Sequence, residues 1–95
     1  MLPEGRDFYR SRSGRYVITF HFVAVGDAYH IYIVTPIDYG ERDDDGHSTH
    51  RLTDDFGDYI CWTHPLRTIA QAKAVAAEWT EATEKYIRYG ARFGS

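Results

Sequence analysis

Residues 15–37 read "RYVITFHFVAVGDAYHIYIVTPI", and the glycine–aspartate pair near the middle decides how the chain folds. Both flanks, 15–25 and 28–37, are rich in β-branched and aromatic side chains, the composition of strands. Gly26-Asp27 is a two-residue hairpin connection with glycine first, as a type II′ turn requires. Such a turn sets Val25 opposite Ala28, and the alternation of side chains then fixes every other pair. One face carries Tyr16, Ile18, Phe20, Phe22, Ala24, Tyr29, Ile31, Ile33 and Thr35, bulky and nearly all apolar. The other carries Val17, Thr19, His21, Val23, Val25, Ala28, His30, Tyr32 and Val34, smaller and mixed, with His21 and His30 as diagonal neighbours.

Beyond the hairpin, residues 38–47 read as an acidic loop. Two shorter strands follow, "STHRLT" (48–53) and "DYICWT" (58–63), joined through "DDFG". Pro65 ends the extended run. Thr68 with Gln71 three residues later matches a capping box, and no Gly or Pro interrupts the chain until Gly90, so the pattern predicts a helix over 68–89. Ile69, Ala72, Val75, Ala76, Trp79, Ala82, Tyr86 and Tyr89 follow its period. A helix of about 21 residues is about 31 Å long, and a strand of ten or eleven is about 33–37 Å. The helix therefore matches the long hairpin. The expected fold is α+β: an antiparallel sheet of about four strands, two long and two shorter, with one C-terminal helix packed across one face. Residues 1–14 show no periodicity and read as an arm; 15–90 form the single domain, and 91–95 a tail.

One helix covers one face of a sheet. The second face would leave Val17, Val23, Val25, Tyr32 and Val34 in water, and monomers rarely expose so large a contiguous apolar patch. Four covers are open: the aromatic arm (Phe8, Tyr9), the tail with Phe93, a second copy of the chain, or another protein.

Composition narrows the function classes. The chain has 95 residues, 43% hydrophobic and 26% charged, which suits one small globular domain. Aromatics reach 16%, with eight tyrosines, so rings dominate either the core or a contact surface. No apolar run approaches the roughly 18 residues of a membrane span, and no signal-like start is present, so a cytoplasmic location is expected. The single cysteine, Cys61, fits a reducing compartment. The net charge of −3 conceals an acidic middle between mildly basic ends. Overall acidity argues against general nucleic-acid binding, which rests on phosphate neutralisation.

The stretch "ERDDDGHSTH" (41–50) invites a metal reading that the spacing does not sustain. With Gly46 at the sixth position of a calcium loop, Glu41, Asp43 and Asp45 take the first, third and fifth. The twelfth, which needs a bidentate glutamate, is Leu52. His47, His50, Cys61 and His64 supply zinc-type donors, and a four-residue loop between the short strands would set His50 opposite Cys61; yet Cys61 sits within a strand rather than a knuckle. Catalysis by Cys61 with His50 or His64, oriented by Asp58, lacks any evident oxyanion donor. The arm interleaves arginine with aromatics, a pattern that grips single strands in other settings.

The leading expectation is a small non-enzymatic protein-interaction module. Its contact residues would be the acids Asp38, Glu41, Asp43, Asp44, Asp45, Asp54, Asp55 and Asp58, with His21, His30 and Tyr32 on the open sheet face. Clustered carboxylates attract basic partners. A basic nucleic-acid-binding protein is one such target, occupied by phosphate mimicry in the manner of phage inhibitors such as anti-CRISPR proteins. The alternatives are a metal-binding protein or small enzyme using His47, His50, Cys61 and His64, and a homodimeric structural module. No catalytic residue and no cofactor are assigned.

Overall fold

A computed structural model describes residues 3–93. Its sheet has five antiparallel strands in the order β1-β2-β3-β5-β4: β1 (Gly5–Arg10), β2 (Val17–Val25), β3 (Ala28–Ile33), β4 (Arg51–Asp54) and β5 (Gly57–Ile60). A helical turn, α1 (Gly46–Thr49), precedes β4, and the long helix α2 (Ile69–Tyr89) closes the chain. The fold is α+β, with α2 packed across one face of the sheet.

The central hairpin has the expected register. Val25 pairs with Ala28, Phe22 with Ile31 and Phe20 with Ile33. Gly26 adopts φ 66°, a left-handed value that glycine reaches without steric cost. The bulky face is the buried one: Ile18, Phe20, Phe22, Tyr29 and Ile31 join Ala72, Val75, Ala76 and Trp79 of α2 in one core. Trp79 meets Phe20 edge to face at 6.1 Å and donates its indole N–H to the Thr49 carbonyl at 3.1 Å. A buried tryptophan thus satisfies its one donor while filling the middle of the helix–sheet interface.

α2 begins as its sequence predicts. The Thr68 hydroxyl accepts from Gln71 N–H, the Gln71 side chain accepts from Thr68 N–H, and Gly90 closes the helix at φ 74°. Three positions differ. Tyr89, placed on the buried stripe, stands exposed, while Thr83 and Glu84 are buried. The stripe drifts around the helix near its C-terminus because the last turns face the N-terminal segment instead of the sheet centre.

That segment is the main departure from expectation. Within the arm, residues 5–10 are not loose but form the edge strand β1, in register from Gly5↔Phe22 to Arg10↔Val17. Its alternation is real, though masked by polarity. The helix-facing positions are Asp7, paired with Lys73 at 3.0 Å, and Tyr9, whose hydroxyl donates to Glu81 at 2.6 Å. The turn that follows is also tied to α2: Ser13 donates to Glu84 at 2.7 Å, and the Arg12 N–H to Glu81 at 3.0 Å. Residues 1–2 of the arm and 94–95 of the tail lie outside the described residues.

The short strands are also shifted. Residues 46–49, expected to be partly strand, turn helically because Asp45 caps them, accepting from Ser48 N–H at 3.2 Å, while Thr49 returns a bond to the Asp45 carbonyl at 2.7 Å. Gly46 is required there, since a Cβ would lie 2.6 Å from the Arg51 carbonyl oxygen. The β4–β5 turn is tighter than the expected four-residue loop, with Asp54 already paired to Gly57.

Buried Glu84 gives a pH test of the latch between the N-terminal turn and α2. The Ser13 hydroxyl foremost, then Ser11 and the Arg88 guanidinium, hold its carboxyl below the ordinary 4.5. A depressed carboxylate contributes stability that is fully present above its unfolded value and lost as pH falls through the folded one. Stability measured by urea unfolding is expected to fall more steeply in the wild type than in Glu84→Gln as pH is taken from 6 to well below 4.5. Parallel curves would remove the latch.

Candidate functional site

The second sheet face is the candidate site. Strand parity puts Arg6, Phe8 and Arg10 of β1 on it, beside Val17, Thr19, His21, Val23 and Val25 of β2. His30, Tyr32 and Val34 follow, then Tyr59 of β5 and Leu52 and Asp54 of β4. Among the described residues no element packs over this face. Neither intramolecular cover serves. The arm extends the sheet sideways and leaves Phe8 61% exposed. Phe93 goes to the opposite side, stacked on His50 at 4.8 Å and close to Trp79 and Tyr86. Phe56, at the tip of the β4–β5 turn, is 86% exposed, and Val17, Val25, Val34 and Leu52 are exposed over about two-fifths to half of their surface. Arg6, His21, Val23, Val25, Tyr32 and Phe56 border a shallow cavity of about 540 Å³ on this side.

A polar and aromatic cluster organises one half of the face. Tyr32 is buried and donates its hydroxyl to Asp54 at 2.6 Å. Burial foremost, then the Asp54 hydrogen bond, pushes the Tyr32 phenol up to about 12, and the same hydrogen bond holds the Asp54 carboxyl below its ordinary range. His30 stacks flat on Tyr59, with centroids 4.5 Å apart and an interplanar angle of 7°. His21 and His30 are diagonal across β2 and β3, as the register requires, since His21 faces Tyr32 and His30 faces Val23.

The acidic residues divide by what they do. Asp38 accepts from Gly40 N–H, Asp45 caps α1, Asp54 holds Tyr32, and Asp58 pairs with Arg51 at 3.2 Å while accepting from Thr53. Glu41, Asp43, Asp44 and Asp55 are exposed, with no side-chain hydrogen bond among the described residues. Arg51 links the two acidic stretches. Its Nη1 donates to Asp58, its Nη2 to the Asp44 carbonyl at 2.7 Å, and its guanidinium lies 4.8 Å from the Tyr39 ring centre. The 38–46 loop is further anchored to α2, where Tyr86 donates to the Asp43 carbonyl and Arg42 to the Ile87 carbonyl. The loop therefore sits on the helix side, away from the open face. Asp54 stands at the edge of that face, with Asp55 next to it in the β4–β5 turn.

His47, His50, Cys61 and His64 do not converge. The Cys61 N–H donates to the His50 carbonyl at 2.8 Å, so the two backbones are opposed as expected, but the His50 ring is committed to Phe93. His64 borders a separate hollow beside Tyr59 and Pro65. Among the described residues no group of three or more His, Cys, Asp or Glu side chains is placed to hold a metal ion, and no helix is long and apolar enough to cross a membrane.

Arg6, Phe8, Arg10 and Phe56 are the site residues that the sequence reading missed. The alternation of "GRDFYR" is the signal that would have found the first three. Comparison with protein-family models, with curated proteins and with solved structures finds no match to this chain.

The Tyr32–Asp54 bond generates an alkaline signature. A raised phenol pKa contributes stability that is complete below the unfolded value of 10.0 and lost as pH rises toward about 12. Tyr32→Phe is expected to lower neutral-pH stability by about 1 kcal/mol, the net worth of one such bond. It should also remove the latest-titrating phenol from the ultraviolet absorbance curve. An unchanged curve would place the late phenol elsewhere.

Proposed function

We propose that this protein is a non-enzymatic interaction module whose working surface is the open face of its sheet. One observation carries the reading: large apolar side chains of β1, β2 and β4, with Val34 just past β3 and Phe56 in the β4–β5 turn, stand exposed on a face that, among the described residues, neither arm nor tail covers. Exposed apolar side chains gathered on one face are characteristic of docking sites. In keeping with this reading, two members of the candidate catalytic set are engaged in structural contacts, His50 on Phe93 and Asp58 on Arg51.

The acidic surface on the helix side supports a second contact, with a basic partner. Glu41, Asp43 and Asp44 are unpaired there among the described residues and project from a loop anchored by Arg51, Tyr86 and Arg42. Carboxylates held in place act on association rate through the field they create, and salt weakens the effect. A protein with a basic nucleic-acid-binding surface is the partner this arrangement suits, with the carboxylates standing in for phosphates.

The test is capture from a cell extract on immobilised protein, read at low and high salt. The wild type is expected to retain proteins that a Val25→Asp/Phe56→Asp variant releases, with both baits unfolding at similar temperatures because the two positions are exposed. Asp43→Asn/Asp44→Asn should reduce retention of basic proteins at low salt only. Identical bound proteins on all three baits would sink the proposal.

A further inference from the structure

The open face carries opposite charge on its two edges. Arg6 and Arg10 stand on it from β1 and make no ion pair among the described residues, while Asp54 and Asp55 occupy the β4–β5 edge on the far side. Valines lie between. Resting on the reading of this face as a docking surface, we propose that its occupant is a second copy of the chain, packed sheet on sheet about a twofold axis that runs along β3.

Symmetry and charge together select that arrangement. A twofold interface joins the same patch on both copies. For two sheets packed face to face, the axis lies between them, either across the strands or along them. An axis across the strands stacks β1 on β1 and crowds arginines against arginines and aspartates against aspartates. An axis along the strands reverses the strand order, so β1 of each copy lies over β4 of the other. Only the second brings unlike charges together.

The same operation sets the contacts along the strands. Rotation about an axis parallel to the strands leaves each residue's height along them unchanged, so every cross-strand row meets itself reversed. Phe8 lies in a row with Thr19, Val34, Gly57 and Asp54. In the dimer, Phe8 therefore meets the partner subunit's Asp54 and the ring of the partner subunit's Phe56 just beyond it. Arg10, further along β1, reaches toward the partner subunit's Asp55. The two most exposed phenylalanines thus bury each other at both ends of the interface, and each is flanked by an arginine–aspartate pair. Aligned sheets cross at about 30°, which swings the edges by a few ångströms but does not exchange them. Five strands about 4.8 Å apart and about 20 Å long give a face whose plan area is on the order of 500 Å². The side chains standing on it raise the accessible area toward the roughly 800 Å² that each partner contributes to a standard interface.

The experiment is sedimentation equilibrium on the full untagged chain, with circular dichroism confirming that each variant is folded. The expected mass is twice the 11.0 kDa of the monomer. Arg10→Glu and Asp55→Arg are each expected to weaken the dimer about ten-fold, because one substitution acts at both ends of a twofold contact. Combining them in one chain swaps the charges and should restore association to within a few-fold of wild type. A chain that stays monomeric to about 1 mM overturns the proposal, and so does a dimer in which the double variant is no stronger than the singles. A monomer that instead binds a fluorescent single-stranded oligonucleotide overturns it as well. Any of these results leaves the extract capture to decide the interaction reading on its own terms.

Discussion

The pairing of Val25 with Ala28 across a two-residue turn sets the parity of the whole sheet, and almost everything else depends on that parity. Side chains alternate along a strand, so a slip of one residue would send Phe20, Phe22 and Ile31 into solvent and the histidines beneath the helix. Gly26 at φ 66° closes the turn in the form whose twist matches that of the strands. Once that choice is made, Trp79 has a ring to meet, α2 has a surface to lie on, and the remaining strands inherit which side is inside.

Elements whose signals are local were legible in the chain. The capping box at Thr68 and Gln71, the glycine stop at Gly90 and the hairpin turn each depend on residues within a few positions of one another, and the helix and hairpin lie where those signals put them. Elements defined by distant partners were not. β1 alternates, but its inward positions are Asp7 and Tyr9, which are tied to α2 by an ion pair and a hydrogen bond rather than by hydrophobic burial. A pattern read as apolar against polar cannot register such a strand. The helical turn at 46–49 depends in the same way on one carboxylate at Asp45 and on the clearance that Gly46 leaves for the Arg51 carbonyl.

The candidate site was half legible for a related reason. His21, His30 and Tyr32 follow from the hairpin register alone. The edges of the face come from β1 and from Phe56, whose placement depends on the strand order. The run of carboxylates drew notice because it is conspicuous, yet its members have different tasks: Asp45 and Asp58 hold structure, and Glu41, Asp43 and Asp44 are free to act at a distance. Arg51 explains how so much negative charge is accommodated. It neutralises Asp58, secures the Asp44 carbonyl and rests on Tyr39, so one cation braces both acidic stretches.

The two edges of the sheet constrain how the protein can assemble. An edge strand with free backbone donors is a template for another strand, and chains that offer one on each side tend toward open-ended aggregation. Here β4 is only four residues long, and on β1 the Asp7 carboxylate accepts the Phe8 N–H at 2.8 Å, removing a donor from the exposed rim. Sideways growth is discouraged at both ends. What remains available is contact through a face, and such contact is exhausted once a single partner has arrived. The geometry therefore favours finite complexes over fibres, even though a broad apolar surface faces water.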